Sequence, residues 1–123
     1  VSDAQATELE EAALHWDMDV LIEVHNREEL DRAGRLKSRM IGINNRDLNT
    51  FETSLDTTRK LSKFVPPERM IVCESGLATP EDLAEMARYG ARTFLIGETL
   101  MRAEDVAEAT RSLLANPLTP GGF

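Results

Sequence analysis

Cysteine, aromatic rings, lysine and long apolar runs are all scarce in this chain, and each scarcity closes a route. A single cysteine, Cys73, leaves no partner for an intrachain disulfide and no Cys-based metal framework, which points to a reducing compartment. Two histidines, His15 and His25, are too few for a His-rich metal site. No apolar stretch approaches the roughly 20 residues needed to cross a bilayer, and no basic-then-apolar leader opens the chain, so no membrane partner is expected. Basic residues number 14 against 22 acidic ones, a formal charge of −8, and they form no run. Nucleic acid is thereby excluded as a partner, and any bound anion must be held by local groups. A soluble, cytoplasmic protein is the expectation. At 123 residues and 41% hydrophobic, residues 1–123 suffice for one packed domain. The chain opens at Val1 in mid-pattern without a methionine, so further sequence upstream is expected.

What is present repeats. Residues 3–16 place Leu9, Ala12, Ala13 and Trp16 at helical spacing, with Asp3 as a cap and those four as the buried face. "MDVLIEV", 18–24, is short and β-branched and predicts a strand. A helix over Arg27–Ala33 follows, with Gly34 as its stop. The same alternation returns as strand 39–44 and a helix from Ser54 ended by Pro66-Pro67. It returns again as strand 69–75 with a helix having Thr79 as N-cap, Pro80 at N1 and Gly90 as stop. The last unit is strand 92–98 and helix 103–116 closed by Pro117, with 117–123 as a C-terminal tail. Strand starts near 18, 40, 70 and 93 recur about every 25 residues, a βα repeat whose apolar strands predict a parallel sheet buried on both faces. Two α/β architectures accept the string: an open doubly wound sheet, or part of a (β/α)8 TIM barrel. A whole barrel needs eight strands and roughly 250 residues. Four βα units with one leading helix therefore fit half of one, and the missing Gly-x-Gly-x-x-Gly lowers the dinucleotide-binding alternative.

In parallel βα folds, chemistry collects where the strands end. Here they end in Glu23-Val24-His25, Asn44-Asn45-Arg46, Glu74-Ser75-Gly76 and Gly97-Glu98-Thr99. Glu23 follows Val20, Leu21 and Ile22, which predicts partial desolvation and a carboxyl tuned for proton transfer. Asn44 and Asn45 are expected to point into the shared mouth, although Asn44 could equally tie down a loop. The fork of Arg46 suits a carboxylate or a phosphate. Glu74-Ser75-Gly76 could be no more than a tight turn with Gly76 at positive φ, His25 structural or solvent-facing, and Cys73 core filler. The most specific signal is the pair of glycine turns after the last two strands. Gly76 and Gly97 let backbone N–H groups approach an anion, and residues 97–102 have the length of the short extra helix that barrels use to hold phosphate after strands seven and eight. On that reading the four units are the last four.

"DVLIEVHN", "IGINNRDLNTFETSLDTT", "VCESGLATPEDL" and "FLIGETLMR", in this order across nearly all the chain, resemble the indole-3-glycerol-phosphate synthase family, a lyase of tryptophan biosynthesis. The match is to the C-terminal half of that family's barrel, strands five to eight. The resemblance implies closure of 1-(2-carboxyphenylamino)-1-deoxyribulose 5-phosphate to indole-3-glycerol phosphate with loss of CO2 and water, without metal or organic cofactor. It implies catalytic roles for Glu23, Asn44 and Glu74, and substrate contacts for Arg46, Ser75 and, beside the anthranilate ring, Leu48. Gly76, Gly97 and Glu98 correspond to phosphate-loop positions. Thr99 and Cys73 stand where serines are often found.

The family's catalytic lysine belongs to the half that is absent. Lys37, Lys60 and Lys63, the only lysines, sit before a strand or within a helix. The chain alone is therefore expected to be inactive and to pair with the missing N-terminal half or with itself. Two rivals remain. One is another phosphate-binding barrel enzyme of the phosphoribosylanthranilate isomerase type, against which the absence of Asp at position 23 counts. The other is a non-catalytic half barrel that only folds and self-assembles.

Overall fold

The computed structural model describes residues 1–115. Its centre is a four-stranded sheet in the order β1-β2-β3-β4, every neighbouring pair parallel: β1 Leu21–Val24, β2 Met40–Asn44, β3 Met70–Glu74 and β4 Ala91–Leu95. Helices alternate with the strands: α1 Asp3–His15 leads, followed by α2 Arg27–Ala33, α3 Asp56–Leu61 with a 3-10 turn at Ser62–Phe64, α4 Pro80–Arg88, α5 Glu98–Met101 and α6 Val106–Leu113. Parallel order follows because each connection is long enough to carry a helix back to the sheet's starting edge. The predicted βα repeat is therefore present. The predicted stop at Pro117 and the tail at 117–123 lie outside the described residues.

Side chains alternate along a strand, so each strand contributes to two faces. Val24, Ile41, Ile43, Ile71 and Cys73 join Leu30, Ala33, Leu61, Leu77 and Met86 in one core beneath the helices. Burying a side chain such as Ile41 or Ile43 fully contributes roughly 1.5–3 kcal/mol. The opposite face carries no covering layer among the described residues. There Leu21 is 40% exposed, Met70 48% and Leu95 56%. The expectation of strands buried on both faces is thus corrected: one face is closed by helices, and the other is the concave side of an incomplete barrel. An extra residue in β4, Arg92, shifts the register between Ile71↔Ala91 and Val72↔Thr93, and keeps Ala91 and Phe94 on the helix side.

The leading helix also differs from its prediction. Its N-cap is Ser2, which accepts from Gln5 N in a capping box, while Asp3 lies inside the helix and pairs with Arg32 and Arg35. Leu9 and Trp16 are exposed, and the buried residue is Glu10, whose carboxylate accepts from Lys37 N and Ser38 N at 2.7 and 2.8 Å. Charged anchoring sets the helix's rotation here, because nothing described lies over its apolar stripe. Helix α4 follows the rule read from sequence, with Thr79 accepting from Asp82 N, Pro80 at N1 and Gly90 at φ 92°. Helix α6 begins at Val106 rather than 103, since the Asp105 carboxylate caps it by accepting from Glu108 N.

Candidate functional site

The carboxyl ends of the four strands converge, and β2 decides how they meet. Gly42 pairs with Glu23 on one side and Val72 on the other, two residues before Asn44 pairs with Glu74. A Cβ at Gly42 would lie 1.9 Å from Glu74 Oε2, so the missing side chain is the space in which the Glu74 carboxylate rests. Glu74 thus leans across β2 towards Glu23. It is only 5% exposed, and its Oε2 has no hydrogen-bond donor among the described residues. Burial first, and then the hydrogen bond and charge of Glu23, push its pKa up to about 8. Two ionised carboxylates offer each other no donor; one proton held between them supplies it. Near neutral pH the pair therefore stores a proton on the open face.

Ser75 and Gly76 turn the chain sharply after β3, with φ values of 68° and 76°. Asn45 holds that turn. Its Nδ2 donates to the carbonyls of Glu74 and Ser75, each at 3.0 Å, and its Oδ1 accepts from the Thr58 hydroxyl at 2.8 Å and from Thr58 N at 3.2 Å. At 2% exposure, Asn45 faces α3 and not the mouth, contrary to the expectation for the pair of amides. Asn44 is half-buried beside the mouth and accepts from Arg46 N at 2.9 Å, which is the loop-tying alternative.

Arg46 donates through Nη1 to Phe51 O at 2.8 Å and through Nη2 to Glu98, and Glu98 also meets Arg102 at 2.6 Å. Thr99 Oγ1 donates to Leu77 O at 2.7 Å, fastening α5 to the loop after β3. A cavity of about 750 Å³ is lined by Arg46, Glu74, Ser75, Gly76, Gly97 and Glu98 among others. Six of the nine residues singled out from sequence thus share one cavity. Asn44 and Leu48 line the adjoining hollow of about 630 Å³, where Arg46 also stands, and Leu48 is exposed. Glu23 reaches the first group through Glu74. Nothing lies within 4 Å of a Cβ built on Gly97, so that position is open for an approaching group. Cys73 is fully buried beneath the turn, its thiol pushed up by burial.

A family model for indole-3-glycerol phosphate synthase matches residues 1–113. The chain belongs to the indole-3-glycerol phosphate synthase family. Enzymes of that name from Azospirillum brasilense and Zymomonas mobilis subsp. pomaceae are 59% and 53% identical over 115 and 114 residues, covering 94% and 93% of this chain. The same matches cover 44% and 43% of those relatives, so the chain spans less than half the length of the synthases it resembles. Solved structures agree on the fold alone. A structure described as "Native KDPGal structure" superposes with a TM-score of 0.64 at 20% identity, over 87% of this chain and 50% of that one. An Amycolatopsis orientalis BexX/CysO complex gives 0.66 at 16%, over 91% and 46%. Half-length coverage in both sets fits four βα units of a (β/α)8 barrel.

One residue of the site escaped sequence reasoning and one was misplaced by it. Gly42 carried a legible signal, an isolated glycine between two isoleucines in a strand, which marks a close approach. Asn45 carried none, because which of two adjacent amides turns inward depends on the strand's register. No helix among the described residues is long and apolar enough to cross a membrane.

Proposed function

We propose that the chain supplies the substrate-holding and proton-transferring half of an indole-3-glycerol-phosphate synthase, converting 1-(2-carboxyphenylamino)-1-deoxyribulose 5-phosphate to indole-3-glycerol phosphate. The Glu23–Glu74 pair carries this reading, since ring closure and dehydration both move protons and a carboxyl pair with one stored proton can give and take them. Asn44 binds a substrate hydroxyl, Arg46 the anthranilate carboxylate, and Leu48 borders the ring. Ser75 and the N–H groups around Gly76, Gly97 and Glu98 receive the phosphate. The Glu98 side chain already occupies Arg46 and Arg102, so an arriving substrate anion takes over those cations while Glu98 contributes its backbone. The residue that protonates the leaving hydroxyl is a lysine of the other half, because none of the three lysines here stands at a strand's carboxyl end.

The open face is where that other half docks. With Leu21, Met70 and Leu95 exposed in one surface and β1 and β4 each paired on one side only, the chain alone self-associates through this face. The decisive experiment mixes the chain with the N-terminal half of the Azospirillum brasilense relative and follows indole-3-glycerol phosphate formation. The isolated chain is expected to show no turnover, and the mixture to recover it. Robust turnover by the chain alone, or a stable mixed complex without any turnover, would overturn the reading. Light scattering of the isolated chain tests the docking face, and a monodisperse monomer would count against it.

A further inference from the structure

The loop after β2 holds an aromatic residue in a conformation that costs energy. Phe51 lies at φ 61°, in the left-handed region that a bulky L-residue rarely enters. It is 67% exposed, so no core packing offsets the strain. Main-chain bonds hold it there instead. Phe51 N donates to Asp47 O at 2.7 Å and Asp47 N to Glu52 O at 2.8 Å, while the Asp47 carboxylate accepts from Asn49 N and Thr50 N at 2.7 and 3.1 Å. An antiparallel bridge between Arg46 and Thr53 closes the loop at its base. The Phe51 carbonyl is thereby turned back onto Arg46, where it accepts from Nη1 at 2.8 Å. The Arg46 main chain is fixed separately, its N–H donating to Asn44 Oδ1 at 2.9 Å. With Nη1 taken up by Phe51, Arg46 turns Nη2 to Glu98 on the cavity wall.

The plain alternative is that Phe51 closes a turn and nothing more. That accounts for its N–H on Asp47 O but not for a carbonyl set on a guanidinium five residues back. Nor does the ring hold the arginine: the cations seated over an aromatic ring among the described residues are Arg27 and Lys63, both at Phe64. The contact is therefore made by the backbone. Its effect on Arg46 is large because an arginine stem has many rotamers, and ordering them is a cost of every binding event. A guanidinium already fixed at one nitrogen meets an anion with much of that cost removed.

We propose that Phe51 is a positioning residue: its left-handed backbone keeps a carbonyl on Arg46 Nη1, which fixes the guanidinium and presents its other nitrogens to a substrate carboxylate arriving where the Glu98 side chain now sits. The assignment rests on the proposed synthase reaction for the carboxylate that Arg46 receives, but the anchoring itself does not depend on any substrate. It also makes the position sensitive to backbone tolerance rather than to the ring. A β-branched residue is a poor fit at φ 61°, whereas Asn enters the left-handed region readily. Phe51→Ile therefore keeps apolar bulk and gives up the carbonyl's placement, and Phe51→Asn does the reverse.

Two measurements separate the anchor from its use. In the full chain, 15N–1H NMR of the Arg46 guanidinium reads rotation about the Cζ–Nη1 bond in the wild type, Phe51→Ile and Phe51→Asn, with the Glu98-bound Nη2 as internal reference. Slow Nη1 rotation is expected in the wild type and in Phe51→Asn, and its loss in Phe51→Ile. Slow rotation persisting in Phe51→Ile would overturn the proposal. So would its loss in both variants, which would place the anchor in the ring. In the mixture with the N-terminal half, Phe51→Ile is expected to raise KM about tenfold at nearly constant kcat, and Phe51→Asn to restore most of the wild-type KM. An unmoved KM in Phe51→Ile, or an equal rise in both variants, would also overturn it. A wild-type mixture without turnover would defeat the synthase reading alone, leaving the NMR to decide the anchor. Both substitutions fall at an exposed loop position and remove no core contact, so the comparison is made between folded chains.

Discussion

The two faces of the sheet are drawn from the same four strands, one residue out of phase, and they obey different rules. On the helix side the alternate residues are apolar and buried or, at Ile22 and Phe94, partly buried, and the polar intruder Asn45 has its amide bonded to the Glu74 and Ser75 carbonyls and to Thr58. On the concave side, exposed Leu21, Met70 and Leu95 surround two carboxylates, one of which has an unpaired oxygen. Satisfaction on one face and incompleteness on the other is the physical signature of half a barrel. The closed face supplies stability that offsets the cost of the open face: a buried Glu74 persists only because the core behind it outweighs that cost.

Paired truncations break this comparison most strongly. Ile43→Ala on the closed face is expected to cost about 2–5 kcal/mol, read as a lowered urea midpoint. Leu95→Ala on the open face is expected to cost within about 0.5 kcal/mol when the isolated chain is diluted far enough to be monomeric. Equal losses would mean that the open face is covered in solution, by another copy or by rearrangement. Next comes Asn45→Ala, which strands the Thr58 hydroxyl and frees the turn carbonyls, for about 2–3 kcal/mol. Circular dichroism melts would register it, and a loss below half of that would show that water replaces the amide.

Glu74 makes the comparison depend on pH. Its folded pKa is raised from 4.5 to about 8, so the stability it contributes is whole below 4.5 and is lost as pH rises through about 8. Glu74→Gln cannot ionise and should flatten that decline. Allowing for the solvent that reaches the open face, the difference between about pH 5 and about pH 9 is on the order of 2 kcal/mol. Parallel slopes for wild type and Glu74→Gln would show that Glu74 is ionised throughout.

Much of this was legible in the sequence, and the boundary falls at tertiary register. The βα order could be read because β-branched runs, Thr79-Pro80 and Gly90 act within a few residues of themselves. The convergence of the strand ends could be read because parallel strands put those ends together, so that Arg46, Glu74, Ser75, Gly76, Gly97 and Glu98 line one cavity. What could not be read needed two strands at once: that Glu74 rests in the space above Gly42, and that Asn45 turns towards α3 while Asn44 stays beside the mouth. The rotation of α1 was misread for a related reason. Helical periodicity names an apolar stripe but not the element meant to cover it, and here two backbone N–H groups captured Glu10 instead.

The smallest effect tests the turn that joins the two faces. Ser75 lies at φ 68°, a left-handed conformation that costs an L-residue about 1–2 kcal/mol. The Asn45 amide on its carbonyl holds it there. Ser75→Gly removes the Cβ strain but adds about 0.5–1 kcal/mol of unfolded-state entropy, for a net stabilisation of about 0.5 kcal/mol. A slightly raised urea midpoint is the expected reading in the isolated chain. In the mixture with the N-terminal half, the same variant loses the hydroxyl that the proposed function offers to substrate, and on that reading KM should rise while stability does not fall. Opposite signs for stability and substrate binding at one residue would place the cost of the turn on the functional side of the molecule. A destabilised Ser75→Gly would instead show that the hydroxyl itself holds the turn, and the division between a closed, satisfied face and an open, reactive one would have to be redrawn at that position.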